Sequence, residues 1–281
     1  MKFLEVALGD IDFQDERFRY SYFYDLAKLR LSIEKIGLIN PLVVVKRNKL
    51  KYVLVSGWKR VLACRELSTT PIPVNVIEEQ DDFRVFLFSL YENWTIRNFS
   101  ILEKAEILFK LKNFLRDERK IVKDYFALLD IPANLSYFDL YHKIALLDPH
   151  WKKIILDKKI PLSSVQILCE FTSEDRDMLI PIVLPLNLNK LKQLSEDLYE
   201  LSKKTGDSPK IILSSSEILA ISQNNDLSSM QKAEKIRSVI RALRYPNLSS
   251  WKKDFERSVK KALLSKDVAF NAESFFEDGE F

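Results

Sequence analysis

Ser56-Gly57-Trp58-Lys59-Arg60 and, further along the chain, Glu92-Asn93 with Arg97 are the residues whose types and spacing suggest chemistry. The first group follows Tyr52-Val53-Leu54-Val55 and precedes the helical rhythm of Val61, Leu62, Cys64 and Leu67. A strand that breaks at Ser56-Gly57 and runs into a helix presents unpaired backbone amides and the positive end of the helix dipole. Lys59 and Arg60 in that first turn oppose the dipole, an arrangement that a bound anion would relieve. The turn reads as an anion site; the competing reading is that both cations are solvated surface charges. Trp58 and Trp94 flank these charges and read as core anchors, with base stacking as the alternative.

Composition removes the familiar phosphate loops. Only five of the 281 residues are glycine, at positions 9, 37, 57, 206 and 279, and no two are close enough for a Walker or Rossmann cradle. With 47% hydrophobic, 30% charged and 11% aromatic residues, the chain is core-forming, and disordered and collagen-like classes are out. A net charge of +4 is compatible with nucleic acid without indicating it. Cys64 and Cys169 have neither CxxC nor histidine neighbours, so they read as free thiols in a reducing compartment, Cys64 within a core. His142 and His150 lack metal-pair spacing. The N-terminus does not read as a signal peptide, and no run approaches the length of a membrane span.

These residues must be positioned by an α+β segment. Leu26, Leu29, Ile33 and Ile36 form one helical stripe over 25–37, closed by Gly37. Leu42-Val43-Val44-Val45 and Tyr52-Val53-Leu54-Val55 read as paired strands around a polar connection, and Pro71 and Pro73 frame a further extended run, Ile72 to Ile77. From Asp81 the pattern is mostly helical. Ser100-Ile101-Leu102-Glu103 fits a capping box opening a helix with Ala105, Leu108, Phe109 and Leu111. Helices over 117–130 and 135–147, joined around Ile131-Pro132-Ala133-Asn134, have helix-turn-helix spacing without the glycine often found in the turn. Two shorter helices follow, over 151–156 and 163–171. Ser202 to Ser216 has the composition of a linker or long loop. Residues 227–265 read as two helices around Tyr245-Pro246-Asn247, and the acidic, aromatic tail Glu273–Phe281 reads as exposed.

In order along the chain stand Leu31-Ser32-Ile33-Glu34-Lys35-Ile36-Gly37-Leu38-Ile39-Asn40-Pro41-Leu42-Val43-Val44, Tyr52 to Ala63, Ile72-Pro73-Val74, and Glu92-Asn93 followed by Arg97 and Leu102-Glu103-Lys104-Ala105. This series resembles the N-terminal domain of the ParB family of chromosome and plasmid partition proteins over roughly residues 10–115, and more weakly to about 175. The resemblance implies a small mixed ParB/sulfiredoxin-like N-terminal domain (1–100), an all-α helix-turn-helix DNA-binding domain (101–201) and a helical C-terminal region with a flexible tail (202–281). Sulfiredoxins are similar in fold but need a reactive cysteine where Trp58 stands.

By the same resemblance, Gly57, Lys59 and Arg60 would grip the triphosphate of CTP or another nucleoside triphosphate. Glu92 and Asn93 would face Mg²⁺ and phosphate, with Arg97 as a further nucleotide contact. In ungapped register the family's arginine falls on Ile96, and Arg97 is displaced by one. The DNA-reading residues would be Asn134, Ser136, Tyr137, Tyr141, His142 and Lys143, types that read bases or hold phosphates, although the helix also carries Asp139. Arg116, Arg119, Lys120, Lys123, Lys152, Lys153, Lys158 and Lys159 add charge on interleaved faces.

The expected partners are double-stranded DNA, a second copy of the chain and a partition ATPase, with no membrane, in the cytoplasm at the nucleoid. Two other readings remain open: a nucleotide hydrolase or phosphotransferase, including a weak CTPase, with no catalytic residue assigned, and a ParB-derived adaptor without turnover.

Overall fold

A computed structural model describes residues 1–22, 24–47 and 51–261. The tail Glu273–Phe281 lies outside the described residues. The chain divides into two compact units, 1–153 and 154–281.

The first unit is α+β. Its elements are β1 (Lys2–Val6), a 3-10 turn at Leu8–Asp10, β2 (Ile11–Asp12), α1 (Ala27–Ile36), β3 (Leu42–Lys46), β4 (Tyr52–Ser56), α2 (Trp58–Glu66), β5 (Ile72–Ile77), α3 (Asp82–Trp94), α4 (Ile101–Leu115), α5 (Glu118–Tyr125) and α6 (Leu135–Ala145). The strands form one mixed sheet in the order β1-β5-β3-β4-β2. β3 pairs antiparallel with β4 and parallel with β5. Val43, Val44 and Val45 are buried, as expected of a central strand covered on both faces. In β5, Ile72, Val74 and Val76 point inward in strict alternation, the period-2 pattern of a strand with one buried face. Leu42, Val44, Leu54, Val61, Cys64, Ile72 and Val74 share one core cluster, so Cys64 is a packing residue as expected.

The stripe of α1 is only partly used: Ile33 is buried and Leu29 packs against the core, whereas Ile36 is exposed. Two arginines secure the start of α3. Arg47 bonds Asp82 through both Nε (3.0 Å) and Nη2 (2.7 Å) and donates to the Glu79 carbonyl (2.7 Å), while Arg17 reaches the other Asp82 oxygen at 2.6 Å. Such paired donors fix a carboxylate in orientation as well as position.

Helices α4, α5 and α6 pack around Leu108, Leu111, Ile121, Phe126, Phe138 and Ile144, all buried. The expected capping box is present: Ser100 Oγ accepts from Glu103 N–H and Glu103 accepts from Ser100 N–H. The α5 segment turns at Asp130, which adopts a left-handed φ of 51° while Ile131 N–H bonds back to the Phe126 carbonyl (2.9 Å). Asp130 thus takes the place of the missing glycine, a position that Asp and Asn tolerate better than other side chains.

α7 (Pro149–Asp157) spans the division between the units in sequence. The second unit is helical: α8 (Leu162–Glu170), α9 (Ser173–Val183), α10 (Leu188–Thr205), α11 (Pro209–Leu213), α12 (Ser216–Gln223), α13 (Ser229–Arg244) and α14 (Pro246–Lys261). α10 packs on α13 and α8, and a 2.6 Å ion pair joins Arg244 to buried Asp197.

The linker expected over Ser202–Ser216 is not one. α10 runs to Thr205, Gly206 (φ 79°) caps it, and Ser208 caps α11 with Pro209 in its first turn. Glycine, serine and proline here are helix stop and start signals in a tight reversal, with Pro209, Ile212 and Leu213 buried. The two C-terminal helices meet at Tyr245-Pro246 as expected, with positions 262–265 of that reading outside the described residues.

Ser100→Ala removes one half of the capping box and is expected to lower stability by about 1 kcal/mol, measured by urea denaturation.

Candidate functional site

β4 delivers the chain to Gly57, which adopts φ 106° and ψ 24°. A Cβ there would lie 2.7 Å from Leu42 Cδ2 and 3.1 Å from the Arg60 guanidinium, so both conformation and space require glycine. α2 begins at the next residue. No side chain caps it, and its first turn holds no acid, whereas α3, α4, α5 and α6 are capped by Asp81, Ser100, Asp117 and Asn134.

A cavity of about 260 Å³ opens on this turn, and Gly57, Lys59, Arg60, Asn93 and Arg97 all line it. Five of the six expected nucleotide contacts thus come from three separate segments to one place. Glu92 stands beside them: it interacts electrostatically with Arg60, and its Oε2 is buried with no hydrogen-bond partner among the described residues.

Arg60 is not the solvated surface charge of the competing reading. Its Nη1 donates to the carbonyls of Asn40 (2.9 Å) and Pro41 (2.7 Å), fixing the guanidinium against the chain that enters β3. Burial lowers its pKa, opposed by the Glu92 carboxylate. Lys59 holds its ammonium 5.6 Å from the Tyr24 ring centroid, within cation–π range. Asn93 Nδ2 donates to the Ser89 carbonyl (2.9 Å), leaving the amide oxygen as the group to meet a cation or donor.

Positions 96 and 97 lie in different surroundings. Beyond the end of α3, the amides of both residues bond back to the Asn93 carbonyl at 3.1 Å, and this irregular turn brings Arg97 to the cavity while Ile96 is 75% exposed. Arg97 pairs with both Glu103 oxygens (2.9 and 2.8 Å) and lies 5.3 Å from the Phe99 ring centroid. Burial opposes its charge, yet the hydrogen bond and charge of Glu103 leave its pKa raised. Conversely, burial works to raise the pKa of Glu103, but bonds from Arg97, Ser21 and the Ser100 amide leave it lowered.

Sequence reasoning missed the aromatic wall. Phe18, Tyr20 and Tyr24 line the cavity, and Arg19 stacks between the rings of Tyr22 (4.5 Å) and Trp58 (4.3 Å). Tyr20 donates to the Ser89 carbonyl (3.0 Å), and burial pushes its pKa up to about 12. The available signal was the aromatic run Phe18, Tyr20, Tyr22, Phe23 and Tyr24, interrupted only by Arg19 and Ser21. Trp58 is buried as expected, but Trp94 is 48% exposed and meets Tyr91 edge to face, contrary to its reading as a core anchor.

Along α6 the six expected DNA contacts divide. Tyr141 is 4% exposed and packs inward, which removes it from any groove. Asn134 spends its side chain capping α6 on the Ser136 amide (2.9 Å), and His142, half-buried, lies 5.7 Å from Phe109 ring to ring. Ser136 and Lys143 are exposed and Tyr137 half-exposed. A cavity of about 840 Å³ beside them is lined by Lys112, Arg116 and Arg119 together with Asp117 and Glu118, Glu118 pairing with Lys112 at 2.8 Å.

Residues 5–94 match the ParB N-terminal domain. That stretch is a ParB N-terminal domain. A probable chromosome-partitioning protein ParB of Borreliella burgdorferi is 27% identical over 184 residues, covering 65% of this chain and 68% of the relative. A protein of the same description from Campylobacter jejuni is 26% identical over 164 residues, 58% of this chain and 56% of the relative. Among solved structures, the C-terminally truncated chromosome-partitioning protein ParB from Caulobacter crescentus complexed with CTP-gamma-S is similar at 16% identity and a TM-score of 0.31, covering 62% of this chain and 94% of that one. No helix among the described residues is long and apolar enough to cross a membrane.

Because the folded pKa of Glu103 lies below its ordinary 4.5, its contribution to stability is present above about pH 4.5 and is lost as pH falls through the folded value. Glu103→Gln keeps a capping-box side chain but removes the charge facing Arg97. It is expected to destabilise by about 1–3 kcal/mol at pH 7, with the difference from the parent shrinking below pH 4, read by denaturation at both pH values.

Proposed function

We propose that this chain is a ParB-type partition protein whose N-terminal domain binds CTP with Mg²⁺ and whose α4–α6 region binds double-stranded DNA. The observation that carries the nucleotide reading is the convergence of the uncapped α2 N-terminus, Lys59, Arg60, Asn93 and Arg97 on one cavity. Free amides, a helix dipole and fixed cations together favour a polyphosphate. Mg²⁺ takes oxygen ligands and keeps several waters, and the unpartnered Glu92 Oε2 is the oxygen it would use, with Asn93 beside it. When bound, the ion would neutralise phosphate charge. Arg60 supplies fixed positive charge, and Arg97 would turn from Glu103 toward phosphate. CTP is the nucleotide that family resemblance favours, and two protomers would close as a clamp, with a partition ATPase as partner.

For DNA, the exposed Ser136 and Lys143 and the half-exposed Tyr137 would face the groove while Arg116 and Arg119 hold phosphates. A second reading, an adaptor without nucleotide chemistry, is favoured by one feature: Arg60 and Arg97 already have protein partners.

Calorimetry with Mg²⁺ and CTP, ATP, GTP or UTP is expected to show CTP binding, weakened at least tenfold by Arg60→Ala and made insensitive to Mg²⁺ by Glu92→Gln. Failure to bind any nucleotide would leave the adaptor reading. DNA binding, measured by fluorescence anisotropy with pooled duplexes, is expected to weaken steeply with salt, and Arg119→Ala to lower affinity without changing sequence preference. Binding that is absent at low ionic strength would refute the DNA assignment.

A further inference from the structure

The indole Nε1 of Trp58 is buried and has no hydrogen-bond partner among the described residues. The residue is 8% exposed and belongs to the cavity wall at the first position of α2. Buried donors left unpartnered are rare in folded proteins, and each calls for an explanation. Rotation of the ring toward another acceptor is opposed by its surroundings. One face carries the Arg19 guanidinium 4.3 Å from the ring centroid, and Arg19 is itself tied to the Ser21 carbonyl (2.9 Å) and to Glu16.

The indole N–H is a donor only, and unlike Trp151, whose indole nitrogen is also unpartnered, Trp58 stands in the wall of the cavity, where a ligand could bring an acceptor oxygen. Its counterpart in the same neighbourhood is the unpartnered acceptor Glu92 Oε2, near Arg60. An unpaired donor and an unpaired carboxylate oxygen are together complementary to a ligand that brings anionic oxygens and a cation.

We propose that Trp58 is a ligand-contacting residue whose indole N–H donates to an acceptor oxygen of the bound nucleotide. This inference rests on the nucleotide reading of the site. It assigns position 58 a side-chain role distinct from the backbone amides of the α2 turn, and one that only tryptophan fills while also stacking on Arg19. Phenylalanine would keep most of the buried area and the stack but not the donor.

The test compares the parent chain with Trp58→Phe in calorimetric titrations with CTP and Mg²⁺, tripolyphosphate and Mg²⁺, and cytidine. In parallel, the assigned Trp58 indole ¹H–¹⁵N resonance of the parent is followed during the CTP titration. The expected results are about a tenfold loss of CTP affinity in the variant and a displaced indole resonance in the parent. An equal loss for tripolyphosphate places the acceptor on a phosphate, whereas a loss confined to CTP or shared with cytidine places it on the base or ribose. Unchanged CTP affinity in a folded Trp58→Phe overturns the proposal. Should the variant not fold, an indole resonance unmoved at CTP saturation overturns it. A parent chain that binds no nucleotide refutes the function reading itself, an outcome separate from either.

Discussion

The left-handed turn at Gly57 is the constraint on which the rest of the site depends. With φ at 106° and Leu42 and Arg60 crowding the place of a Cβ, the chain leaves β4 and enters α2 without room for a capping side chain. The first amides of α2 are therefore left without the side-chain acceptors that serve α3 to α6. Arg60, one turn on, is held by the Asn40 and Pro41 carbonyls, so its charge is placed before any ligand arrives. A fixed cation beside unpaired amides loses little conformational freedom on binding, which is the advantage of preorganisation.

A second interaction links this turn to the helices that follow. Glu103 caps its own helix through the Ser100 amide, accepts from Ser21 in the aromatic wall and pairs with Arg97 at the cavity. One carboxylate thus joins the start of α4 to two walls of the site. A phosphate competing for Arg97 would alter the partners of Glu103 and would thereby bear on the start of α4.

Much of this was legible in the sequence because it rests on backbone chemistry. Gly37 and Gly57 both adopt positive φ, and the scarcity of glycine made their positions informative. β-branched runs located β3, β4 and β5, and Ser100 with Glu103 located α4. Less legible were features set by tertiary packing. Tyr141 has the polar tip of a base-reading residue, but its place on α6 turns it inward. Gly206, Ser208 and Pro209 resemble loop composition, yet each serves a helix end. The aromatic wall comes from a run without a strand, so periodicity alone assigned it no role. Arg97 reached the cavity through an irregular turn that no alignment register describes.

The central claim is that the α2 turn, opened by Gly57, receives the anion. Backbone amide resonances recorded while Mg²⁺ and CTP are titrated into the full chain test it most directly. The account predicts that the amides of Trp58, Lys59 and Arg60 shift first and furthest, together with Asn93 and the Arg97 guanidinium. Saturable shifts confined to other surfaces, with these amides unmoved, would contradict it.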